Sequence, residues 1–123
     1  MSNLVVSNIS DGTTSVGTEY VVNGSAKFWC FYKTVPATAT IGRSFNVSSI
    51  TDEGQGDTDV NLINAFIDAD IVGHINIGNG SNGDQSFIQT ATTASVIECF
   101  QYSGDHAAFD SDYCAVSGHG DLA

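Results

Sequence analysis

The chain has 123 residues, 13 Gly, one Pro and a formal charge of −11, from 3 Lys plus Arg against 14 Asp plus Glu. A chain of that length forms one domain and buries roughly two thirds of the surface its unfolded form exposes, so a core needs neither metal nor disulfide staples. With Lys27, Lys33 and Arg43 as its fixed cations, it cannot neutralise a run of phosphates, which excludes sequence-independent nucleic-acid binding and adhesion to anionic lipid.

Charged residues make up 14% of the chain, where a soluble domain usually carries about 25%. Ser, Thr, Asn and Gly keep the surface wet instead, and their side chains compete with a helical backbone for hydrogen bonds. The composition therefore points to strands and turns. The N-terminus, MSNLVVSNISDG, has no basic n-region and no apolar stretch long enough for a signal peptide or a membrane span, so synthesis in a cytoplasm is expected.

In chain order, Leu4 to Ile9 reads as a short strand closed at Asp11-Gly12, and Tyr20 to Val22 as a second closed at Asn23-Gly24. Ser25 to Lys33 carries Phe28, Trp29, Phe31 and Tyr32. Aromatic residues on both faces predict a central or subunit-contacting strand that is covered on both sides. Thr38 to Arg43 follows, then Ser44 to Ile50, where Phe45, Val47 and Ser49 alternate with Asn46, Ser48 and Ile50. The run Thr51 to Asp57 predicts a hairpin turn, and the return strand Thr58 to Leu62 puts Val60 and Leu62 on one face.

Asn64 to Ala69 reads as a loop, Asp70 to Ile77 as a strong strand and Gly78 to Asp84 as the most extreme loop of the chain. Gln85 to Thr90 and Ser95 to Tyr102 are two further strands, where Val96, Ile97 and the Thr cluster favour strand over helix. The last strand is expected from Phe109 to Val116, ending in Gly118-His119-Gly120. The fold class is all-β: a single β-sandwich or small barrel of about eight short antiparallel strands. Residues 1–18, poorer in apolar side chains, form an attachment arm, and 19–123 the β-sandwich body.

Few patterns point to chemistry. Gly78-Asn79-Gly80-Ser81-Asn82-Gly83 satisfies G-x-G-x-x-G, with Glu98 twenty residues beyond the first Gly. That fingerprint needs a following helix and a parallel βαβ sheet, and neither is predicted, so the run reads as a hairpin loop. Asp57-Thr58-Asp59-Val60-Asn61 begins like an EF-hand loop but has Leu62 where Gly is required and Asp68 where a bidentate Glu is expected. A looser Ca²⁺ site from Asp52, Glu53, Asp57 and Asp59 competes with a solvated acidic hairpin tip, and the tip is the better reading.

His74, His106 and His119 lack metal-binding spacing, although one His near a threefold axis could supply three ligands. Cys30, Cys99 and Cys114 sit in apolar runs without C-x-x-C spacing and read as reduced core residues. Asp68 with Asp70, and Asp110 with Asp112, read as solvated pairs at strand ends and not as a glycosidase dyad. The Asn-x-Ser triplets at Asn8, Asn23, Asn46 and Asn79 carry no weight without a signal peptide. No catalytic constellation is found, and no cofactor is implied.

Three stretches carry a resemblance. They are Ser2 to Gly12 (SNLVVSNISDG), Asn23 to Trp29 (NGSAKFW), and Phe45 to Asp52 (FNVSSITD) with Gly54, Gly56, Asp57 and Val60-Asn61. Together they resemble the tail-fibre-type structural proteins of tailed bacteriophages, common in phages of marine bacteria. The ending Tyr113-Cys114-Ala115-Val116 with Gly118, Asp121 and Leu122 is similar to that family's last strand, so the likeness runs end to end, with Ile63 to Phe109 the divergent part. Cys30-Phe31-Tyr32-Lys33 and His119 depart from the pattern.

The resemblance implies a virion protein without enzymatic activity, assembled in the host bacterial cytoplasm and exposed on the particle exterior. It implies a homotrimer whose partners are its own copies and other proteins of the tail, baseplate or capsid. Its role would be a tail fibre or fibre tip in adsorption to a host-surface glycan or protein, or alternatively a head fibre or decoration protein of the capsid shell. In that picture Leu4, Val5, Val6 and Ile9 dock on the particle, Phe28, Trp29, Phe31 and Tyr32 lie in the core or subunit contact, and Asn79, Ser81, Asn82 and Asp84 meet the receptor.

Overall fold

A computed structural model describes residues 2–35, 38–78 and 85–123. The first elements are β1 (Asn8–Ser10) and β2 (Ser15–Gly17), which pair antiparallel around Asp11-Gly12. Asp11 shapes that turn by accepting from the backbone N–H of Thr13 at 2.9 Å and Thr14 at 2.8 Å, while Gly12 takes a φ of 96°. These bonds stabilise the carboxylate and hold Asp11 below the ordinary carboxyl range.

The segment expected as a second strand, Tyr20 to Val22, is instead helical: α1 spans Thr18–Gly24. Val21 and Val22 favour strand locally, but a strand must hand its backbone groups to a neighbour. Here the segment pairs with no strand among the described residues, and its backbone bonds within a helix. The start of α1 is tied to the hairpin, with the Thr18 N–H and hydroxyl donating to the carbonyls of Ser7 and Val6 at 2.9 Å each. From Ser2 to Ser25 no residue is buried. Leu4 to Val6, expected to open the first strand, precede it.

The body is built from two four-stranded antiparallel sheets. The first, in the order β4-β3-β10-β7, uses β3 (Phe28–Lys33), β4 (Thr40–Phe45), β7 (Val72–Ile77) and β10 (Cys114–His119). The second, in the order β5-β6-β9-β8, uses β5 (Val47–Gly54), β6 (Asp57–Leu62), β8 (Gln85–Thr93) and β9 (Val96–Tyr102). The period-two patterns decide which face of each strand is inward. Phe28, Cys30 and Tyr32 of β3 and Cys114 and Val116 of β10 join Val60 and Leu62 of β6 and Ile97 and Cys99 of β9 in one buried cluster. Phe66, from the loop after β6, closes it with its ring edge-on to Phe28 at 6.1 Å.

The predicted hairpin forms and its Val60 and Leu62 are both buried, but its turn is shorter than the expected Thr51 to Asp57: Thr51 to Gly54 pair with β6 and extend β5, leaving Gln55-Gly56 as the turn. The even alternation expected through Ser44 to Ile50 does not hold, because Asn46 adopts a φ of 57° and separates β4 in the first sheet from β5 in the second. The last strand lies later than expected, at Cys114–His119 in place of Phe109 to Val116. Residues before it are held by loop contacts: Asp110 accepts from the Gly56 N–H at 2.9 Å, and buried Ser111 accepts from the Thr34 N–H at 3.0 Å and donates its own N–H to the Thr34 hydroxyl at 2.8 Å. Gly118, expected as a terminal turn, is an inward strand position where the Phe28 ring fills the space a Cβ would need. The Gly78 to Asp84 loop falls outside the described residues from 79 onward.

Candidate functional site

The outward face of the first sheet gathers the exposed aromatic side chains of the body. Cross-strand register places Phe45, Trp29, Ser117 and His74 in one row, and Arg43, Phe31, Ala115 and Asn76 in the next. Along β10 the outward residues Ala115 and Ser117 are small, and their neighbours on both sides are large. A groove of about 250 Å³ results, walled by Trp29 and Phe31 on one side and His74 and Asn76 on the other. Trp29 is 43%, Phe45 54% and Tyr113 55% exposed.

Lys33 extends this surface by holding its ammonium 5.4 Å from the centroid of the Tyr113 ring, and Tyr113 in turn lies 5.9 Å from the ring of Phe31. His74 and His119, 45 positions apart in sequence, meet edge-on at 6.3 Å. No Asp or Glu occurs in any strand of this sheet, from Phe28–Lys33 through Cys114–His119. The surface offers flat rings for stacking, amide, hydroxyl and imidazole groups for hydrogen bonding, and positive charge.

The second sheet has the opposite character. Its strands hold Asp52, Glu53, Asp57, Asp59 and Glu98 and no Lys, Arg or His. Asp59 faces Thr51 on one side and Glu98 on the other. Burial first, and then the nearby charges of Glu53, Glu98 and Asp57, push its carboxyl above the ordinary range. Oδ1 of Asp57 and Oε2 of Glu98 are buried without a hydrogen-bond partner among the described residues.

The four acidic side chains considered for Ca²⁺ are not brought together. Asp52 stands opposite inward-facing Thr58, while Asp57 and Asp59 lie one position to either side of Thr58 and so on the other face. Asp52 accepts from the Gly54 N–H at 3.2 Å, closing the turn. Among the described residues no group of three or more His, Cys, Asp or Glu is arranged to hold a metal.

The other sequence candidates are dispersed. Asn79, Ser81, Asn82 and Asp84, with most of the G-x-G-x-x-G run, lie outside the described residues. Phe28 and Tyr32 are core residues at 0% exposure, Phe31 is half-buried, and Trp29 points outward and is not covered by its own chain. Leu4, Val5, Val6 and Ile9 are all exposed. Asp68 accepts from the Asp70 N–H at 3.0 Å. A second cavity, about 410 Å³, opens where β7 begins and β10 ends, beside Asp68, Asp70, Asp121 and His119. Cys30, Cys99 and Cys114 are free and buried. Desolvation pushes Cys99 up to about 12, and Cys30 and Cys114 up to about 11, so all three are protonated and unreactive at neutral pH.

Phe45, Arg43, Lys33, Tyr113 and His74 were not legible as one surface, because the register that aligns them depends on where β10 begins. The signal that was present is compositional: strand segments 28–33, 40–45, 72–77 and 114–119 hold cations and no acids. No family model matches the chain, and neither the curated proteins nor the solved structures include one that matches it. Among the described residues no helix is long and apolar enough to cross a membrane.

Proposed function

We propose that the chain is a non-enzymatic β-sandwich module of a tailed-bacteriophage particle, a tail-fibre or fibre-tip protein that works as a homotrimer at the host surface. The sequence likeness in Ser2 to Gly12, Asn23 to Trp29 and Phe45 to Asn61 suggests the particle. The observation that carries an assembly role is the N-terminal segment. Leu4 is 86% and Val5 92% exposed, and nothing from Ser2 to Ser25 is buried. A segment whose few apolar side chains, Leu4 and Val5 foremost, are left in water by its own domain fits one that docks on another virion protein.

The body supports the same reading. Two antiparallel sheets sharing one apolar cluster suit a rigid sandwich. The groove beside Trp29 gives a module of this kind a surface with which to meet a glycan or protein. Immunogold electron microscopy of particles that carry the chain tests the proposal. Gold at the tail is the expected result, gold on the capsid shell assigns the head-decoration role instead, and unlabelled particles overturn the virion reading.

A further inference from the structure

The two sheets carry opposite charge. The strands of the first hold Lys33, Arg43, His74 and His119 and no carboxylate, and those of the second hold Asp52, Glu53, Asp57, Asp59 and Glu98 and no basic residue. Because one apolar cluster joins the inward faces of both sheets, their outward faces point away from each other. Residues that point outward on the first include Trp29, Phe31, Arg43, Phe45 and His74, and on the second Asp57, Asp59 and Glu98. A chain of charge −11 with 3 Lys plus Arg thus places two of them on one aromatic sheet face whose strands contain no acid.

We infer that the outward face of the first sheet binds the outward face of the second sheet on another copy of this chain. Charge complementarity selects that occupant. The partner must be acidic to meet Lys33 and Arg43, and the acidic face that this same chain presents is a sheet surface of matching width, four strands against four. The composition of the basic face is that of an interface centre, where Trp, Tyr and Arg dominate binding and Lys33 stacked on Tyr113 is already ordered. On the acidic side, Asp57, Asp59 and Glu98 stand on neighbouring strands of one outward face, where a guanidinium or ammonium of another copy meets several carboxylates at once.

Overall repulsion between copies does not oppose the contact strongly. At physiological salt the screening length is about 8 Å, so distant carboxylates are damped while facing groups a few ångströms apart are not. Such a contact joins two different surfaces and is therefore heterologous. It closes into a ring if the rotation between neighbours allows, and otherwise propagates as a stack. The inference stands on this charge separation and holds whether or not the chain belongs to a virus particle.

Sedimentation of the full chain, alone and in mixtures, tests it. The wild-type protein is expected to associate as concentration rises. One variant, Lys33→Glu with Arg43→Glu, makes both faces acidic; another, Asp57→Lys with Asp59→Lys and Glu98→Lys, replaces every acid named on the outward face of the second sheet with a cation, so that cations meet cations. Each alone should associate roughly two orders of magnitude more weakly than wild type, since like charges then face each other. Mixed in equal amounts, the two should associate again, because each supplies the face the other lost. The single neutral variants Arg43→Gln and Glu98→Gln should each weaken association, and they keep the test valid if a charge-reversed chain fails to fold. A wild type that remains monomeric at its highest soluble concentration overturns the inference. So does association that persists unchanged in the neutral variants, which would place the contact in the N-terminal arm or another surface.

Discussion

The side-chain oxygen of Asn46 accepts two hydrogen bonds from Asn64, at 2.8 Å from its backbone N–H and 3.1 Å from its amide. The Asn46 amide nitrogen donates to the Asn64 carbonyl at 3.0 Å and the Lys27 carbonyl at 3.1 Å. One 8% exposed side chain therefore clamps the entry to β3, the corner from β4 to β5 and the exit from β6. Its φ of 57° is a conformation that Asn tolerates and Ala does not. Asn46→Gly keeps the backbone and removes the clamp, and should lower unfolding free energy by about 2 kcal/mol or more; Asn46→Ala should lose about 1 kcal/mol beyond that. Urea denaturation decides it, and a Gly variant as stable as wild type shows that the corner is held by backbone alone.

Alternation in the sequence was enough to find the hairpin that returns through Val60 and Leu62, though not the extent of its first strand, and the strands around Ile75 and Ile97, since each has one apolar face to bury. The misread places share a cause: a tertiary contact overrides a local preference. Val21 and Val22 pair with no strand among the described residues, Asn46 serves as a corner and not as an outward strand residue, and Gly118 lies in a strand where the Phe28 ring occupies its side-chain space. The same limit applies to the aromatic sheet face. Trp29 was visible as a strand residue, but its neighbours Ser117 and His74 come from strands far along the chain, and which residues align depends on register.

The buried thiols tie stability to alkaline pH. Cys30, Cys99 and Cys114 have an ordinary pKa near 9, and burial raises them to about 11 or 12 in the folded chain. Their neutral forms are the ones the fold accommodates. Above about pH 9 the unfolded chain releases these protons and the folded chain retains them, so this contribution to stability is present below pH 9 and declines as pH rises toward about 11. Denaturant titrations at pH 8 and pH 10.5 should show a lower midpoint at the higher pH. In the native state a thiol reagent at pH 8 should label none of the three until the chain unfolds, and prompt labelling would refute their burial.

Gln101 is completely buried in β9, and neither atom of its side-chain amide has a partner among the described residues. Its backbone N–H donates to the Gly56 carbonyl at 2.9 Å, a bond that does not depend on the side chain. Gln101→Met keeps the length and removes two unsatisfied polar atoms, so it should raise unfolding free energy by about 1 kcal/mol or more. Chemical denaturation checks the sign. A loss of that size would mean that the amide is paired in solution.

The N-terminal segment should contribute little to the stability of the body. Leu4 and Val5 are almost fully exposed, α1 has no buried residue, and the bonds of Thr18 run to Val6 and Ser7 within the segment itself. The double substitution Leu4→Asp, Val5→Asp removes apolar surface that the fold does not bury, so the free chain should change in stability by less than about 0.5 kcal/mol. Limited proteolysis should cut within residues 2–25 before any strand of the two four-stranded sheets, leaving a body with an unchanged unfolding midpoint. A loss above about 1 kcal/mol in the Asp variant would mean that the arm docks on its own domain in solution, and would remove the main support for its role as an attachment segment.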